Sequence, residues 1–128
     1  MRPAVEKAPV LVVDDEPNVR EFVRNVLLRQ GYEVLEAKDG VEAYELIERL
    51  SGGIQLLVTD VQMPRMDGLT LGKKLSADYP NIGVLYISGF VWKPPKHSSK
   101  LHFLPKPFLP DALVRCVRDT VLEREHPR

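Results

Sequence analysis

Short apolar runs alternate with segments of helical periodicity along most of this chain. The run at 10–13, Val-Leu-Val-Val, is continuously apolar and β-branched, which is typical of a strand buried on both faces. Comparable runs predict strands at 32–37, 54–58, 82–87 and 101–104, and the run at 54–58 leads to Asp60. Because helical segments separate the strands, the pattern predicts βαβ units with right-handed crossovers. We expect one five-stranded, three-layer α/β domain.

The first helix has clear start and stop signals. Pro17 suits the first turn of a helix, and Gly31 is a typical residue just beyond a helix end. Between them, apolar residues recur at i, i+3, i+4, i+7 and i+8, as on one face of an amphipathic helix. The predicted buried stripe comprises Val19, Phe22, Val23, Val26 and Leu27.

Weaker signals place the remaining helices. Asp39 and Glu42 resemble a capping box that opens a helix reaching about residue 50. Further helices are predicted at about 68–78 and from Pro110 onwards. The segment 90–100 has no helical apolar period, and its two adjacent prolines argue against a regular helix.

Composition sets the protein class. The chain has 128 residues, of which 44% are hydrophobic and 28% charged, the values of an ordinary globular protein. Eighteen basic residues balance eighteen acidic ones, so charge favours neither a nucleic-acid nor a membrane partner. The single cysteine, Cys116, is expected to be buried packing, and a reducing cytoplasm is the expected location. We expect one domain over 1–128, with a core at about 9–123 and frayed ends.

Polar side chains follow four of the predicted strands. Asp14 and Asp15 follow the first strand, Asp60 the third, Ser88 the fourth and Lys106 the fifth. Since the carboxyl ends of parallel strands meet at one sheet edge, we expect these groups to converge. Clustered carboxylates raise one another's pKa unless a cation lies among them, and Mg²⁺ suits oxygen ligands beside a phosphoryl group. A hydroxyl and a lysine can bind phosphoryl oxygens, so the sequence predicts an aspartyl-phosphate site.

Four motifs in order resemble a response-regulator receiver domain of the chemotaxis-regulator type, over residues 9 to 123. They are Val12-Val13-Asp14-Asp15-Glu16, Thr59-Asp60-Val61-Gln62-Met63-Pro64 with Met66-Asp67-Gly68, Ile87-Ser88-Gly89, and Leu104-Pro105-Lys106-Pro107-Phe108. The resemblance implies a flavodoxin-like sheet of order 2-1-3-4-5. It also implies a phosphoacceptor in a two-component phosphorelay, which signals to a protein partner and does not turn over a metabolite.

The resemblance implies roles for the acidic residues. Asp60 would accept a phosphoryl group from a phosphohistidine on a sensor histidine kinase or phosphotransfer protein. Asp15, Asp60 and the backbone carbonyl of Gln62 would bind Mg²⁺ directly, and Asp14 would act through water.

The resemblance also implies a conformational switch. Lys106 would contact the phosphoryl group, and its bond to Pro107 is expected to be cis. Ser88 would turn inward to the phosphate and Phe103 would change rotamer, which makes a two-state element biased by one local charge change.

The chain departs from the family pattern between Ser88 and Lys106. These residues are eighteen positions apart, which leaves little room for the helix that the family places fourth. We expect that helix to be shortened or irregular, so the family's usual output face does not carry over. The Ser-Gly after strand four and the Leu-Pro-Lys-Pro-Phe segment resemble receivers attached to hybrid histidine kinases.

Each candidate site residue also has a purely structural interpretation. The Asp14-Asp15 pair could cap a helix, Lys106 could be a surface lysine, and Ser88 could form a turn. Asp67 is interpreted as a helix cap outside the site. For Phe103, an aromatic residue in a strand, core packing and switching are equally compatible with the sequence.

Three other functions compete with the phosphoacceptor. A haloacid-dehalogenase-like phosphohydrolase needs a second aspartate two residues after the nucleophile, where this chain has Gln62. A flavoprotein of the same topology needs a phosphate loop after strand one, where Asp14-Asp15-Glu16 would repel the phosphate. A phosphorylation-independent interaction module of the same fold stays open as the alternative.

Overall fold

The computed structural model of the chain describes residues 8–89 and 102–125. Within these ranges, strands and helices alternate up to residue 88, and a fifth strand and a last helix follow from residue 102. The elements are β1 (Val10–Val13), α1 (Pro17–Arg29), β2 (Val34–Ala37), α2 (Gly40–Arg49), β3 (Leu56–Asp60), α3 (Gly68–Asp78), β4 (Gly83–Ser88), β5 (His102–Pro105) and α4 (Pro110–Glu125). The predicted irregular segment at 90–100, and with it the family's fourth helix, lies outside the described residues.

All five strands form one parallel sheet of order β2-β1-β3-β4-β5, which confirms the predicted flavodoxin-like topology. The register aligns the carboxyl ends of the central strands, because Val13 pairs with Thr59 and Asp60 pairs with Ile87. Ser88 pairs with Pro105 at the end of β4. The polar residues that follow these positions therefore share one edge of the sheet.

The sheet is covered on both sides, which confirms the three-layer architecture. Alternate strand residues such as Val12, Val58 and Leu85 pack with α1 and α4 in one apolar cluster. The intervening residues, including Leu11 and Leu57, pack with α2 and α3 in the other. Strands buried on both faces need this continuous apolar composition.

The predicted strand ends shift by a few residues. The second strand begins at Val34, because the backbone N–H of Tyr32 donates to the Leu27 carbonyl and completes the end of α1. The third strand runs through Asp60, since pairing with Ile87 continues the ladder past the apolar run.

The predicted α1 stripe is only partly buried: Val19 is half-buried against the core, and Phe22 is exposed. Val23, Val26 and Leu27 are buried, but 41% of Phe22 is exposed. Phe22 lies at the margin of the stripe, where its ring faces that of Phe108 at a centroid distance of 6.0 Å. It packs on the loop after β5 and not in the core.

Two helix caps agree with the sequence analysis. The Asp39 side chain accepts a hydrogen bond from the Glu42 amide at 2.9 Å, and Asp67 accepts one from the Thr70 amide at 2.8 Å. Each replaces a hydrogen bond that the first turn of a helix lacks. No helix in the described ranges is both long and apolar enough to cross a membrane.

Gly68 lets α3 begin directly against the end of β3. A Cβ atom at this position would lie 2.1 Å from the carbonyl oxygen of Asp60. Because that oxygen belongs to the backbone, it cannot rotate away, and either the helix or the strand end would have to move.

We expect Gly68→Ala to lower the free energy of unfolding by about 1–3 kcal/mol, the range of an overpacked core position. The matched control is Ala77→Gly, at an exposed position of the same helix, which should cost about 1 kcal/mol. Urea unfolding of both variants measures the two losses. A Gly68→Ala protein as stable as wild type would show that the close approach is not a constraint.

Candidate functional site

Three carboxylates converge at the carboxyl edge of the sheet. Asp14 and Asp15 follow β1, and Asp60 ends β3. One carboxylate oxygen from each lies within 4.8 Å of those of the other two. Asp14 and Asp60 are 3% and 9% exposed, whereas Asp15 is exposed to solvent. The structure thus brings together the three predicted acidic residues, with Asp15 on the solvent side of the cluster.

Lys106 places an ammonium group among these carboxylates. Its Nζ lies 3.3 Å from Oδ2 of Asp60 and 3.4 Å from Oδ2 of Asp14. The Lys106 backbone N–H donates to the Ser88 carbonyl at 2.8 Å, and the bond to Pro107 is cis as predicted. Lys106 is therefore half-buried in the site and is not a plain surface lysine.

Burial and neighbouring charges shift the pKa of Asp14 and of Lys106. Burial raises the pKa of Asp14, and the charge of Asp60 raises it further, although the Glu16 amide and Lys106 oppose this. Burial lowers the pKa of the Lys106 ammonium, but the charges of Asp14 and Asp60 outweigh burial and raise it overall. Three carboxylates against one ammonium leave negative charge in excess when all are ionised.

The turn after β1 is held by backbone hydrogen bonds. Oδ1 of Asp14 accepts from the Glu16 amide at 2.9 Å, so this residue also does part of the work of a helix cap. On α1, Arg20 donates to the Asp14 carbonyl at 2.7 Å and pairs with Glu36 of β2 at 3.2 Å. Sequence reasoning missed Arg20, since nothing in the local pattern links a helix arginine to a carbonyl six residues earlier.

The loop between β3 and α3 borders the site beside Asp60. The Gln62 amide donates to Oδ1 of Asp60 at 3.3 Å, and the Gly68 amide donates to the Val61 carbonyl at 2.8 Å. Arg65 in this loop pairs with Asp39 at the start of α2. The pairing of Arg65 was not predicted either. The metal role of the Gln62 carbonyl stays a prediction.

The structure places the two predicted switch residues on the last two strands. Ser88 is buried at the carboxyl end of β4, on the same edge as the carboxylates. Phe103 is partly buried inside β5, where it pairs with Tyr86. The movements assigned to both residues stay predictions.

The residues present fit a small divalent cation. Mg²⁺ prefers oxygen ligands and usually binds one or two protein carboxylates together with waters. The convergent carboxylates of Asp14, Asp15 and Asp60 supply such oxygens. A cation would also relieve the excess negative charge beside the buried Asp14.

Replacing Asp14 by asparagine removes a buried charge and keeps an oxygen for the Glu16 amide. Because the pKa of Asp14 is raised on folding, its ionisation favours the unfolded chain. This cost is absent below the unfolded-state pKa and complete once the pH has risen past the folded-state pKa. Without divalent cations, Asp14→Asn should therefore melt a few degrees above wild type near neutral pH, on the order of 1 kcal/mol.

This advantage should shrink as the pH falls toward 3.8, the ordinary pKa of an aspartate. The difference in melting temperature between Asp14→Asn and wild type is measured by circular dichroism over that pH range, with both proteins in the same buffers. A variant that melts below wild type at every pH would mean that the Asp14 charge is stabilising through Lys106.

Comparison with known proteins identifies the family. The model of the response regulator receiver domain matches residues 10–118. The chain is 39% identical over 122 residues to the sensor kinase CckA of Brucella abortus, covering 92% of this chain but only 13% of that protein's length. It is 33% identical over 119 residues to a CheY homolog, a chemotaxis protein of Campylobacter jejuni, covering 88% of this chain and 91% of that one.

Solved structures agree with this match. The crystal structure of the receiver domain of the hybrid histidine kinase CckA is 39% identical and superposes with a TM-score of 0.76, covering 88% of this chain and 98% of that one. A CheY-like receiver domain protein of Methanospirillum hungatei, at 23% identity, shares the fold with a TM-score of 0.80, covering 94% and 98%. The chain belongs to the response-regulator receiver domain family, the phosphoacceptor signalling domains of two-component systems.

Proposed function

We propose that Asp60 accepts a phosphoryl group from the phosphohistidine of a sensor histidine kinase or phosphotransfer protein. One observation carries the proposal: the Asp60 carboxylate lies 3.3 Å from the Lys106 ammonium and shares an acidic site with Asp14 and Asp15. A carboxylate so placed can act as a nucleophile while the lysine neutralises the incoming charge.

The transfer is a displacement at phosphorus. An Asp60 oxygen forms a bond to phosphorus as the bond from phosphorus to the histidine nitrogen breaks, and the histidine keeps the electron pair. Lys106 then faces the added phosphoryl oxygens. The Gln62 amide, at 3.3 Å from Oδ1, orients the carboxylate before transfer.

Mg²⁺ would be held by Asp15, Asp60 and the Gln62 carbonyl, with Asp14 acting through water. When bound, it neutralises charge shared between the carboxylates and the phosphoryl oxygens. Without Mg²⁺, the Lys106 ammonium is the only cationic side-chain group within 4 Å of the Asp60 carboxylate among the described residues.

The signal would pass along the last two strands. Ser88 would donate its hydroxyl to the phosphoryl group, which moves the end of β4. The Lys106 amide donates to the Ser88 carbonyl at 2.8 Å, so this movement is coupled to the end of β5. Phe103 in β5 would change rotamer, and the two arrangements form the switch.

An apolar groove beside the site fits the partner that carries the phosphohistidine. It is open to solvent, has a volume of about 480 Å³ and is lined by Asn18, Val19, Phe22, Gly89, Lys106, Pro107 and Phe108. Because the donor histidine must approach Asp60, the protein that presents it has to cover the adjacent surface. We propose that the chain forms a single domain that meets this partner in a reducing cytoplasm.

Intact-mass spectrometry after incubation with acetyl phosphate tests the chemistry. We expect wild type to gain one phosphoryl group in the presence of Mg²⁺ and to gain almost none in its absence. Asp60→Asn is nearly isosteric and should keep the fold while losing the gain. Thermal melting of the variant checks that it is folded.

A gain that persists in folded Asp60→Asn would place the acceptor elsewhere. No gain in wild type, either from acetyl phosphate or from a phosphorylated histidine phosphotransfer domain, would contradict the proposal. That result would favour the phosphorylation-independent interaction module.

A further inference from the structure

An arginine outside the acidic site is joined to a buried carboxylate that the phosphoacceptor chemistry does not use. In the β3–α3 loop, Arg65 donates from Nε to Oδ2 of Asp39 at 2.9 Å and from Nη2 to Oδ1 at 3.1 Å. The Asp39 side chain is only 4% exposed, whereas that of Arg65 is 54% exposed. This two-pronged geometry is specific to a guanidinium, since a lysine makes only single-point contacts.

Arg65 adopts a backbone conformation that arginine ordinarily avoids. Its φ is +68°, in the left-handed region that favours glycine or asparagine. Such a conformation persists only where the surroundings enforce it. The backbone supplies part of that enforcement, because the Met66 N–H donates to the Pro64 carbonyl at 2.8 Å and closes a tight turn at Arg65. The bond to Asp39 fixes the far end of the Arg65 side chain.

Asp39 is itself firmly placed. Its side chain accepts from the Glu42 amide at 2.9 Å, and its carbonyl accepts from the Ala43 amide at 3.0 Å. The hydrogen bonds from Arg65 hold the pKa of the Asp39 carboxyl below its usual value, so it is ionised at neutral pH. The start of α2 therefore acts as a fixed anchor for the arginine.

A second close contact joins the start of α2 to the same loop. A Cβ atom at Gly40 would lie 2.4 Å from the Met66 carbonyl oxygen, so the helix start and the loop are in direct contact there. At its other end, the loop leaves β3 through Gln62, whose amide donates to Asp60. The loop is thus held by α2 on one side and meets the phosphoacceptor on the other.

We propose that Arg65 is a positioning residue whose bond to Asp39 holds the β3–α3 loop so that the Gln62 backbone stays against the Asp60 carboxylate. This inference rests on the proposed function for the role of Gln62 toward Mg²⁺. Without the bond, the loop samples other conformations and the Gln62 carbonyl is less often in place. Arg65 then sets the affinity of the site for Mg²⁺ without touching the metal.

Three variants separate the bond from its alternatives. Arg65→Gly removes the guanidinium and favours the positive φ, so backbone strain cannot explain its effect. Arg65→Lys keeps the charge and loses the two-pronged geometry. Asp39→Asn keeps an oxygen for the Glu42 amide but loses the charge. Arg118→Ala, at an exposed position of α4, is the matched control.

We expect Arg65→Gly and Asp39→Asn to weaken Mg²⁺ binding roughly ten-fold, the lower limit for partners that orient metal ligands. The Mg²⁺ affinity of Arg65→Lys should lie between the affinities of these two variants and that of wild type. The Mg²⁺ affinity of Arg118→Ala should equal that of wild type. The double variant Asp39→Asn, Arg65→Gly should be no worse than either single one, since both remove one interaction. NMR titration of the backbone amides with Mg²⁺ gives the dissociation constants.

Two further readouts distinguish positioning from stability alone. Without Mg²⁺, hydrogen exchange at the Gln62 amide should be several-fold faster in Arg65→Gly than in wild type, relative to an amide in the middle of β1. The rate of phosphorylation by acetyl phosphate should fall at low Mg²⁺ and recover at saturating Mg²⁺, where the bound ion holds the loop.

A lower melting temperature with unchanged Mg²⁺ affinity and unchanged Gln62 exchange would overturn the inference, because the bond would then be merely structural. The NMR and exchange measurements do not need phosphorylation. A wild-type protein that gains no phosphoryl group would contradict the proposed function while the effect of Arg65 on the loop is still measured.

Discussion

The three carboxylates at one edge of this sheet repel one another, and positive charge lies among them. The Lys106 ammonium, within 3.4 Å of both Asp14 and Asp60, offsets part of their repulsion, and the negative charge that remains is of the kind that a bound cation would neutralise. A site whose carboxylates were neutralised by protein groups alone would gain little from binding Mg²⁺. The excess of negative charge at this edge of the sheet is therefore the physical basis for the proposed binding of Mg²⁺.

The fold maintains this imbalance by fixing the backbone beneath each carboxylate. Two apolar layers hold the sheet rigid, and the strand register brings the strand ends level. Each acidic segment is bound to a neighbouring element through an arginine. Arg20 connects the turn after β1 to β2, and Arg65 connects the β3–α3 loop to α2. Such fixed polar groups need little reorganisation when charge arrives.

The sequence predicted what depends on local patterns and on chain order. Strand order, the caps at Asp39 and Asp67, and the convergence of the carboxylates with Lys106 follow from periodicity, capping residues and parallel crossovers. The family match supports this topology.

The misses depend on contacts between distant segments. Phe22 has the right spacing for the core but finds Phe108 at the margin, and the pairing of Arg65 with Asp39 spans 26 positions. A positive φ at an arginine has no sequence signal, so this contact could not be predicted from the local pattern.

Mg²⁺ binding tests the central claim most directly, and isothermal titration calorimetry should show one saturable site in wild type. Asp15→Asn changes an exposed side chain and leaves the core intact, and it should weaken Mg²⁺ binding by roughly ten-fold or more. Saturable binding of equal strength in both proteins, or none in folded wild type, would contradict the account.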